Sequence, residues 1–193
     1  MHTPRREIQK PQLIAVTLED QGAGIRLVPF TEADVDDMDA LSDHPGVYEN
    51  TYVPAERGHD FARNWVGRYV DGWRDGSCAG FTIRSATDDS FLGFAALVSL
   101  ELGKGEAEAG YVVGAHARGR GVATAALRTV SRWGIDVIGL QRIYLKIDPQ
   151  NIASTKVAER CGFFREGILR SVYFKEGQRT DTAVYSLLPS DLK

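Results

Sequence analysis

A short basic glycine loop, Arg118-Gly-Arg-Gly121, has the residue types of an anion-binding site. The β-forming residues Tyr111 to Val113 come shortly before the loop, and apolar residues follow it at the helical spacing 123, 126, 127, 130, 133 and 137. Gly119 and Gly121 carry no Cβ where a ligand could approach the backbone closely. A strand, a loop and a helix start in this order direct N–H groups and the positive end of the helix dipole at one point, which suits a pyrophosphate.

The cysteine and histidine residues indicate neither covalent catalysis nor a metal site. Cys161 ends a predicted short helix, just before Gly162, and we interpret it as a small buried hydrophobic residue rather than a nucleophile. His44, His59 and His116 are scattered along the chain without neighbouring ligands. We therefore expect no bound metal.

The composition predicts one soluble domain. With 193 residues the chain is long enough for a hydrophobic core, and its hydrophobic and charged fractions of 43% and 25% are ordinary for a globular protein. The net charge of -3 argues against general nucleic-acid binding. Two cysteines fit a reducing compartment, and no apolar run approaches the roughly 20 residues of a membrane span. The expected location is therefore cytoplasmic, with neither a membrane nor a nucleic-acid partner.

The N-terminal half is expected to contribute core helices and the substrate side. Residues 1–20 are predicted to be a tail, in which 13–18 could form a short strand, and residues 21–193 to be a single domain. Thr31-x-x-Asp34 is typical of a helix capping box, and the acids at 34, 36, 37 and 39 would either complement the helix dipole or form an acidic lip for a cationic substrate. The segment 43–54 is predicted to be irregular. Apolar side chains at helical spacing follow and would pack in the core, or one or two of their aromatic rings would line a substrate cleft: Phe61, Trp65, Val66, Tyr69, Val70 and Trp73.

In the C-terminal half the apolar period changes to two. Three strands joined by short turns predict an antiparallel meander, and a further strand after the helix at 121–138 predicts a parallel crossover. A short helix at 154–161 and a long hairpin around 175–179 complete the chain. The strands are predicted at 25–28, 79–83, 91–98, 106–113, 141–147, 163–174 and 180–188. The fold class is therefore α+β or mixed α/β, with a mostly antiparallel sheet of about seven strands and about four helices.

Five short motifs occur in order between Ile25 and Leu188. They are Ile25-Arg-Leu-Val-Pro-Phe-Thr-Glu-Ala-Asp34, Glu108-Ala-Gly-Tyr111, Arg118-Gly-Arg-Gly-Val-Ala123, Asn151-x-x-Ser154 with Cys161-Gly-Phe163, and Arg165-Glu-Gly167 leading to Asp181 and Tyr185. In these motifs the chain resembles the GNAT superfamily of acyl-CoA-dependent N-acetyltransferases, in particular its ribosomal-protein-alanine (RimJ/RimL-type) branch. The resemblance implies a GNAT-like fold in which two central strands, here those ending at Val113 and Ile147, splay apart.

The resemblance also implies that acetyl-CoA, the acetyl donor, lies in the split between these strands. Backbone groups of Val112 and Val113 would pair with its pantetheine arm, and one of these N–H groups would hold the thioester oxygen. Asn151 would bond to the same arm. The amides of the glycine loop and the helix start would wrap the pyrophosphate: Arg118, Gly119, Arg120, Gly121, Val122, Ala123 and Thr124.

An amine must be neutral before it attacks a thioester. A lysine amine has a pKa of about 10.4 and an α-amine one of about 7.7–8.0, so an α-amine needs only a modest base. Glu108, at the family's acidic position beside the split, is the candidate base, with a solvent-facing strand carboxylate as the alternative. Ser154, at the family's serine position, would protonate the leaving thiolate, cap the short helix, or do both.

The predicted function is direct acetyl transfer from acetyl-CoA to a primary amine, with a protein N-terminal α-amine as the expected acceptor. A small amine such as an antibiotic, a polyamine or an amino-acid derivative is an alternative, because acceptor choice lies in the variable elements 31–42, 59–75 and 175–179. A non-catalytic acyl-CoA-binding module is another. A Rossmann-type dinucleotide binder is disfavoured because the glycine loop lies mid-chain, behind an antiparallel meander. An edge strand or the 175–179 hairpin could mediate a homodimer.

Overall fold

The computed structural model describes residues 13–51, 53–54, 57–175 and 177–192. The described strands are β1 (Leu18–Asp20), β2 (Ile25–Pro29), β3 (Ala79–Ser85), β4 (Phe91–Glu101), β5 (Glu106–Val113), β6 (Arg142–Ile147), β7 (Phe164–Lys175) and β8 (Gln178–Leu187). The α-helices are α1 (Val35–Ser42), α2 (Pro45–Asn50), α3 (His59–Asp75), α4 (Val122–Trp133) and α5 (Ile152–Arg160). All strands form one mixed sheet in the order β1-β2-β3-β4-β5-β6-β8-β7. This arrangement confirms the predicted fold class.

The sheet is antiparallel between all of these neighbouring strands except β5 and β6, which are parallel. The predicted meander and the crossover through α4 are therefore confirmed. The first strand, β1, pairs with β2, whereas residues 13–17 have no regular structure. Residues 1–12 of the predicted tail lie outside the described residues. Within the described part of the chain, no helix has the length and apolar character needed to cross a membrane.

Helix α2 lies in the segment that was predicted to be irregular. Pro45 occupies its first helical position, where no N–H group is needed. The Nδ1 atom of His44 accepts a hydrogen bond from the backbone N–H of Gly46 at 3.2 Å. The His-Pro-Gly sequence, which is typical of an irregular segment, therefore starts a helix here, because the side chain of the capping histidine accepts a hydrogen bond from one of the first backbone amides of that helix.

Asp34 is a buried ion-pair partner, a role that neither interpretation of the acids in this region included, whereas Asp36 and Asp37 lie in the first turn of α1 as expected for complementing the helix dipole. The Oδ2 of Asp34 accepts from the backbone N–H of Thr31 at 2.7 Å, as expected for a capping interaction. Its Oδ1 accepts from the guanidinium of Arg84 on β3, which also donates to Asp37 Oδ2 at 3.1 Å. With Asp34 only 5% exposed, this carboxylate fixes the start of α1 to the sheet rather than forming an acidic lip.

Two hydrophobic cores fill the two faces of the sheet. Helices α1 to α3 cover one face, where the rings of Phe30 and Tyr69 stack at 5.0 Å. Helix α4 covers the other, where Trp133 packs edge-on against Phe81 at 5.4 Å. The alternation of strand side chains divides β5 between the cores: Ala107, Ala109 and Val113 belong to the α4 face, and Val112 packs toward the α3 face.

The parallel pairing of β5 and β6 stops in the middle of the sheet. Its last pair joins Glu108 and Tyr144. Beyond it, β5 stays paired with β4 as far as Val113, and β6 stays paired with β8 as far as Ile147. The two central strands therefore splay apart, as the sequence predicted.

Replacing Gly93 with alanine is expected to destabilise the protein at this split. Gly93 pairs with Val113 and has φ of 147°, and a Cβ atom there would lie 2.1 Å from the carbonyl oxygen of Val112. Backbone strain and overpacking together should lower the free energy of unfolding by about 3 kcal/mol. Urea denaturation followed by circular dichroism measures the change.

Gly67→Ala is the matched control. Gly67 lies inside α3, and its added Cβ would meet no atom within 4 Å. We expect this variant to gain about 0.5–1 kcal/mol, because alanine has the higher helix propensity. A Gly93→Ala protein with the wild-type midpoint would contradict the tight approach of β4 and β5.

Candidate active site

A cavity of about 860 Å³ opens where β5 and β6 separate. The split strands form its floor, with residues 108–113 on one side and 145–147 on the other. The start of α5 and one face of α3 form two of its walls. The cavity thus lies at the place where the sheet has unpaired strand edges.

The backbone of β5 presents alternate residues to this open edge. The N–H of Gly114 donates to Leu92 on β4 at 2.8 Å, so Val112, two residues earlier, also directs its backbone groups at β4. Tyr111 and Val113 consequently direct theirs at the split. Of the two predicted pantetheine contacts, Val113 has the orientation for backbone pairing, and Val112 contributes its side chain to the cavity lining.

The glycine loop adopts the conformation of an anion cradle. Gly119 and Gly121 have φ of 74° and 80°, in the left-handed region that glycine tolerates. Gly121 caps α4, whose first closing bond runs from Ala125 N to Gly121 O at 3.0 Å. The amides of residues 119–124, which include Arg120, Val122, Ala123 and Thr124, have no hydrogen-bond acceptor among the residues that the structure describes. These groups fit a diphosphate.

The side chain of Arg118 points away from the glycine loop. Its Nε donates to the carbonyl of Val113 at 3.2 Å, and its guanidinium lies beside Gly46 at the start of α2. The side chain therefore turns back into the cavity rather than along the loop. Its backbone N–H donates to the carbonyl of Ala115 at 3.3 Å, so the Arg118 amide, unlike those of residues 119–124, already has an acceptor and the predicted contact with the pyrophosphate is not supported.

The N-terminal cap of α5 is Asn151 and not Ser154. The Oδ1 of Asn151 accepts from the backbone N–H of Ser154 at 3.0 Å, so Asn151 is the cap of α5. The capping alternative for Ser154 is therefore wrong. Its hydroxyl lies 2.8 Å from the hydroxyl of Tyr111, across the gap between α5 and β5.

Tyr111 is a site residue to which sequence reasoning assigned no chemical role. Burial raises the pKa of its phenol to about 12, although the Ser154 hydroxyl partly offsets this effect. The phenol therefore remains protonated across the physiological range and can donate a proton or a hydrogen bond. The motif Glu108-Ala-Gly-Tyr111 contained it, but only the folded chain brings it to Ser154.

Glu108 lies at the last paired position before the split. Its Oε2 accepts from the Nζ of Lys146 at 2.8 Å, and its side chain is only 16% exposed. The solvent-facing alternative is therefore wrong, and the role as a base stays a prediction. Lys146 was also missed, because it follows Tyr144 on the same face of β6 and reaches Glu108 only across the separating strands.

The aromatic residues of α3 are divided between the core and the cavity. Trp73 is buried in the core, whereas Phe61, Trp65 and Tyr69 line the cavity. The ring of Trp65 packs against Phe94 of β4, with 5.2 Å between ring centroids. Some of these rings thus pack in the core and some face the cavity, as the two alternatives allowed.

Cys161 is not placed as a nucleophile. Its Sγ donates to the carbonyl of Thr124 at 3.3 Å, and burial raises the pKa of the thiol to about 11. Such a thiol carries little thiolate near neutral pH. No cluster of three or more metal-ligating side chains occurs in the described ranges.

Comparisons with known proteins show the family of the chain. A family model described as an acetyltransferase (GNAT) domain matches residues 25–164. The chain is 30% identical over 141 residues to the putative ribosomal N-acetyltransferase YdaF of Bacillus subtilis, which covers 73% of this chain and 69% of that protein. It is 29% identical over 91 residues to a spermidine N(1)-acetyltransferase of Escherichia coli, which covers 47% of this chain and 49% of that one.

Solved structures share the fold of this chain. RimJ of Mycobacterium smegmatis, solved in complex with CoA-disulfide, superposes with a TM-score of 0.81 at 21% identity, over 92% of this chain and 88% of that one. At this identity the likeness concerns the fold. The family match and the GNAT fold confirm the resemblance found in the motifs. The chain belongs to the GNAT family of acetyl-CoA-dependent N-acetyltransferases.

Proposed function

We propose that this N-acetyltransferase modifies a protein N-terminal α-amine by direct attack on acetyl-CoA. The observation that carries the proposal is the net positive charge of the cavity lining, in which three cationic side chains face two acidic ones: Arg68, Arg118 and Lys146 against Glu108 and Asp148. This excess disfavours an acceptor with further positive charges, such as a polyamine, more than it disfavours a single amine. The relative named as a ribosomal N-acetyltransferase supports the same acceptor class.

The unpaired backbone groups fit acetyl-CoA, which supplies a thioester carbonyl that an amine can attack. The amides of the glycine loop and of the first turn of α4 would hold the pyrophosphate. The N–H groups of Tyr111 and Val113 would run along the pantetheine arm, and one of them would stabilise negative charge on the thioester oxygen. Asn151 uses its Oδ1 for the cap of α5, which leaves its amide nitrogen for the arm.

Glu108 would take the proton from the acceptor amine. Lys146 holds one carboxylate oxygen, Oε2, and no described residue is hydrogen-bonded to the other. That second oxygen would accept the amine proton directly or through a water molecule. An α-amine, with an ordinary pKa of about 7.7–8.0, needs less help than a lysine amine at about 10.4.

Ser154 and Tyr111 would deliver a proton to the leaving thiolate. The two hydroxyls are 2.8 Å apart, so one can donate to the thiolate while the other replaces the proton. They lie on the α5 side of β5, opposite Glu108, which packs toward the α3 side. Base and acid therefore approach the reacting carbonyl from opposite faces of the sheet.

The acceptor class can be tested by CoA release with saturating acetyl-CoA. We expect peptides with an unblocked N-terminus to exceed spermidine in kcat/KM by at least about tenfold, because repulsion between two charges in a partly screened cleft costs about 1–2 kcal/mol. Mass spectrometry should locate the acetyl group on the α-amine. Turnover of spermidine in preference to every peptide would support a small-amine acetyltransferase instead.

Glu108→Gln is expected to lower kcat/KM about 100-fold, the usual contribution of a general base. Glu106→Gln is the matched control, since Glu106 lies two residues earlier on the same strand and outside the cavity lining. We expect the control to retain wild-type activity. Equal rates for the two variants would remove Glu108 from the mechanism, and negligible turnover by the wild type with intact CoA binding would indicate a non-catalytic module.

Tyr111→Phe and Ser154→Ala are each expected to lower kcat about tenfold near pH 7, a modest effect because a thiolate is a good leaving group. The defect should shrink above about pH 8.5, the ordinary pKa of a thiol, where the thiolate needs no protonation. The wild type should show no loss from Tyr111 ionisation in that range, because the pKa of this phenol is about 12.

The double variant should lose less than the two single losses combined, because the hydroxyls act as a pair. Cys161→Ala is the control and should keep its rate at every pH. A defect that is independent of pH would contradict proton delivery by this pair.

A further inference from the structure

One face of α3 presents three hydrogen-bond donors to the cavity. Trp65, Arg68 and Tyr69 all line it, and their spacing of three and four residues places them side by side on the helix. We call these three residues the α3 wall. None of them belongs to the glycine loop or to the groups proposed to move protons.

The indole N–H of Trp65 lacks an acceptor. Its Nε1 is shielded from solvent, and no described residue accepts a hydrogen bond from it. An indole nitrogen can only donate, and a buried donor without a partner carries a free-energy cost. A ligand with an acceptor oxygen would remove this cost.

Arg68 combines a place on the cavity lining with the absence of a described acidic partner. Arg26, Arg84 and Arg142 each pair with a carboxylate. Arg68 forms no ion pair within the described part of the chain, although it lies on the cavity wall. Its guanidinium is therefore available to an anionic ligand.

Arg68 and Tyr69 are also close in space, since the guanidinium carbon lies 5.9 Å from the centroid of the Tyr69 ring. Burial raises the pKa of Tyr69 to about 12, and the Trp65 indole and the Arg68 guanidinium act against this rise. The charged residues of the cavity lining also favour an anionic ligand, because the cationic side chains outnumber the acidic ones: Arg68, Arg118 and Lys146 against Glu108 and Asp148.

We propose that the α3 wall binds a carboxylate that the acceptor carries close to its reacting amine. The preferred acceptor is then a polypeptide N-terminus with an acidic residue at its second or third position. This inference rests on the proposed N-terminal acetylation and names its substrate class. A planar carboxylate accepts from both a guanidinium and an indole N–H, which a neutral side chain or a cation cannot do equally well.

The direct test compares three peptides of equal length that begin Ala-Asp, Ala-Asn and Ala-Lys. With saturating acetyl-CoA, kcat/KM for the Ala-Asp peptide should exceed that for Ala-Asn about tenfold, the size of a charge-assisted hydrogen bond in a partly exposed cleft. The Ala-Lys peptide should be the poorest. Equal values for the three peptides would overturn the inference and leave N-terminal acetylation standing.

Arg68→Gln should reduce the ratio of Ala-Asp to Ala-Asn turnover to near one. The matched control is Arg63→Gln, because Arg63 lies on the same helix but contacts His59 and faces a separate cavity. The control should keep the wild-type ratio. A purely structural Arg68 would lower the rate for all peptides alike and leave the ratio unchanged, which would also overturn the inference.

Trp65→Phe tests the indole N–H separately. Phenylalanine retains a ring against Phe94 but removes the unpaired donor, so Tm should stay at or above the wild-type value while the preference for Ala-Asp falls. A lower Tm with an unchanged preference would assign the indole to packing alone.

A pair of small amines separates this inference from the proposed function. β-Alanine carries a carboxylate near its amine and propylamine does not. Acetylation of β-alanine in preference to propylamine, with no peptide turnover, would overturn the N-terminal acceptor and support the carboxylate-binding wall. Preference for spermidine over all of these amines, or no turnover of any, would overturn both.

Discussion

The early end of the ladder between β5 and β6 is the constraint on which the site depends. Each strand keeps its outer neighbour, β4 or β8, so the sheet stays intact while its centre opens beyond the pair of Glu108 and Tyr144. The opening leaves backbone N–H and C=O groups without strand partners, which is unfavourable unless a ligand or water satisfies them. A long, amide-containing acyl carrier is suited to such an edge, because it can pair with the strand as another strand would.

Strand alternation then distributes the chemistry between the two faces of the sheet. Tyr111 faces the side of α4 and α5, where Ser154 lies. Glu108 faces the side of α3, where Lys146 lies beside it and the α3 wall also lines the cavity. The proposed proton donor, Tyr111, and the proposed proton acceptor, Glu108, therefore lie on opposite faces of the same strand, β5. Neither group needs a mobile segment to reach its side.

The arginines show how the fold distinguishes structural charge from charge kept for a ligand. Arg84 is held by Asp34 and Asp37, and Arg142 forms two bonds of 2.7 Å to Glu166 and holds the pKa of that carboxyl at about 2 with the help of Ser186. These pairs join helix to sheet and strand to strand. Arg68 has no such partner among the described residues and lines the cavity. Its place on the cavity lining, together with the absence of a described acidic partner, makes Arg68 the proposed binding group.

The sequence by itself determined the order of the elements, the family and the glycine loop. Hydrophobic periods of two and of 3.6 residues are local properties, so α3, the meander and the crossover could be predicted without any tertiary information. The start of α2 at Pro45 was missed because the same His-Pro-Gly sequence is compatible with a capped helix start and with an irregular segment. The ion pair of Asp34 was missed because its partner Arg84 lies 50 positions away in the chain.

Only the tertiary structure decided which side chains meet at the split. Lys146 reaches Glu108, and Tyr111 reaches Ser154, across separations of 38 and 43 residues. These contacts depend on where the ladder between β5 and β6 stops, and on the pleat that sends neighbouring residues to opposite faces. Both are set by packing of the whole sheet between its two layers of helices, and no short stretch of sequence encodes them.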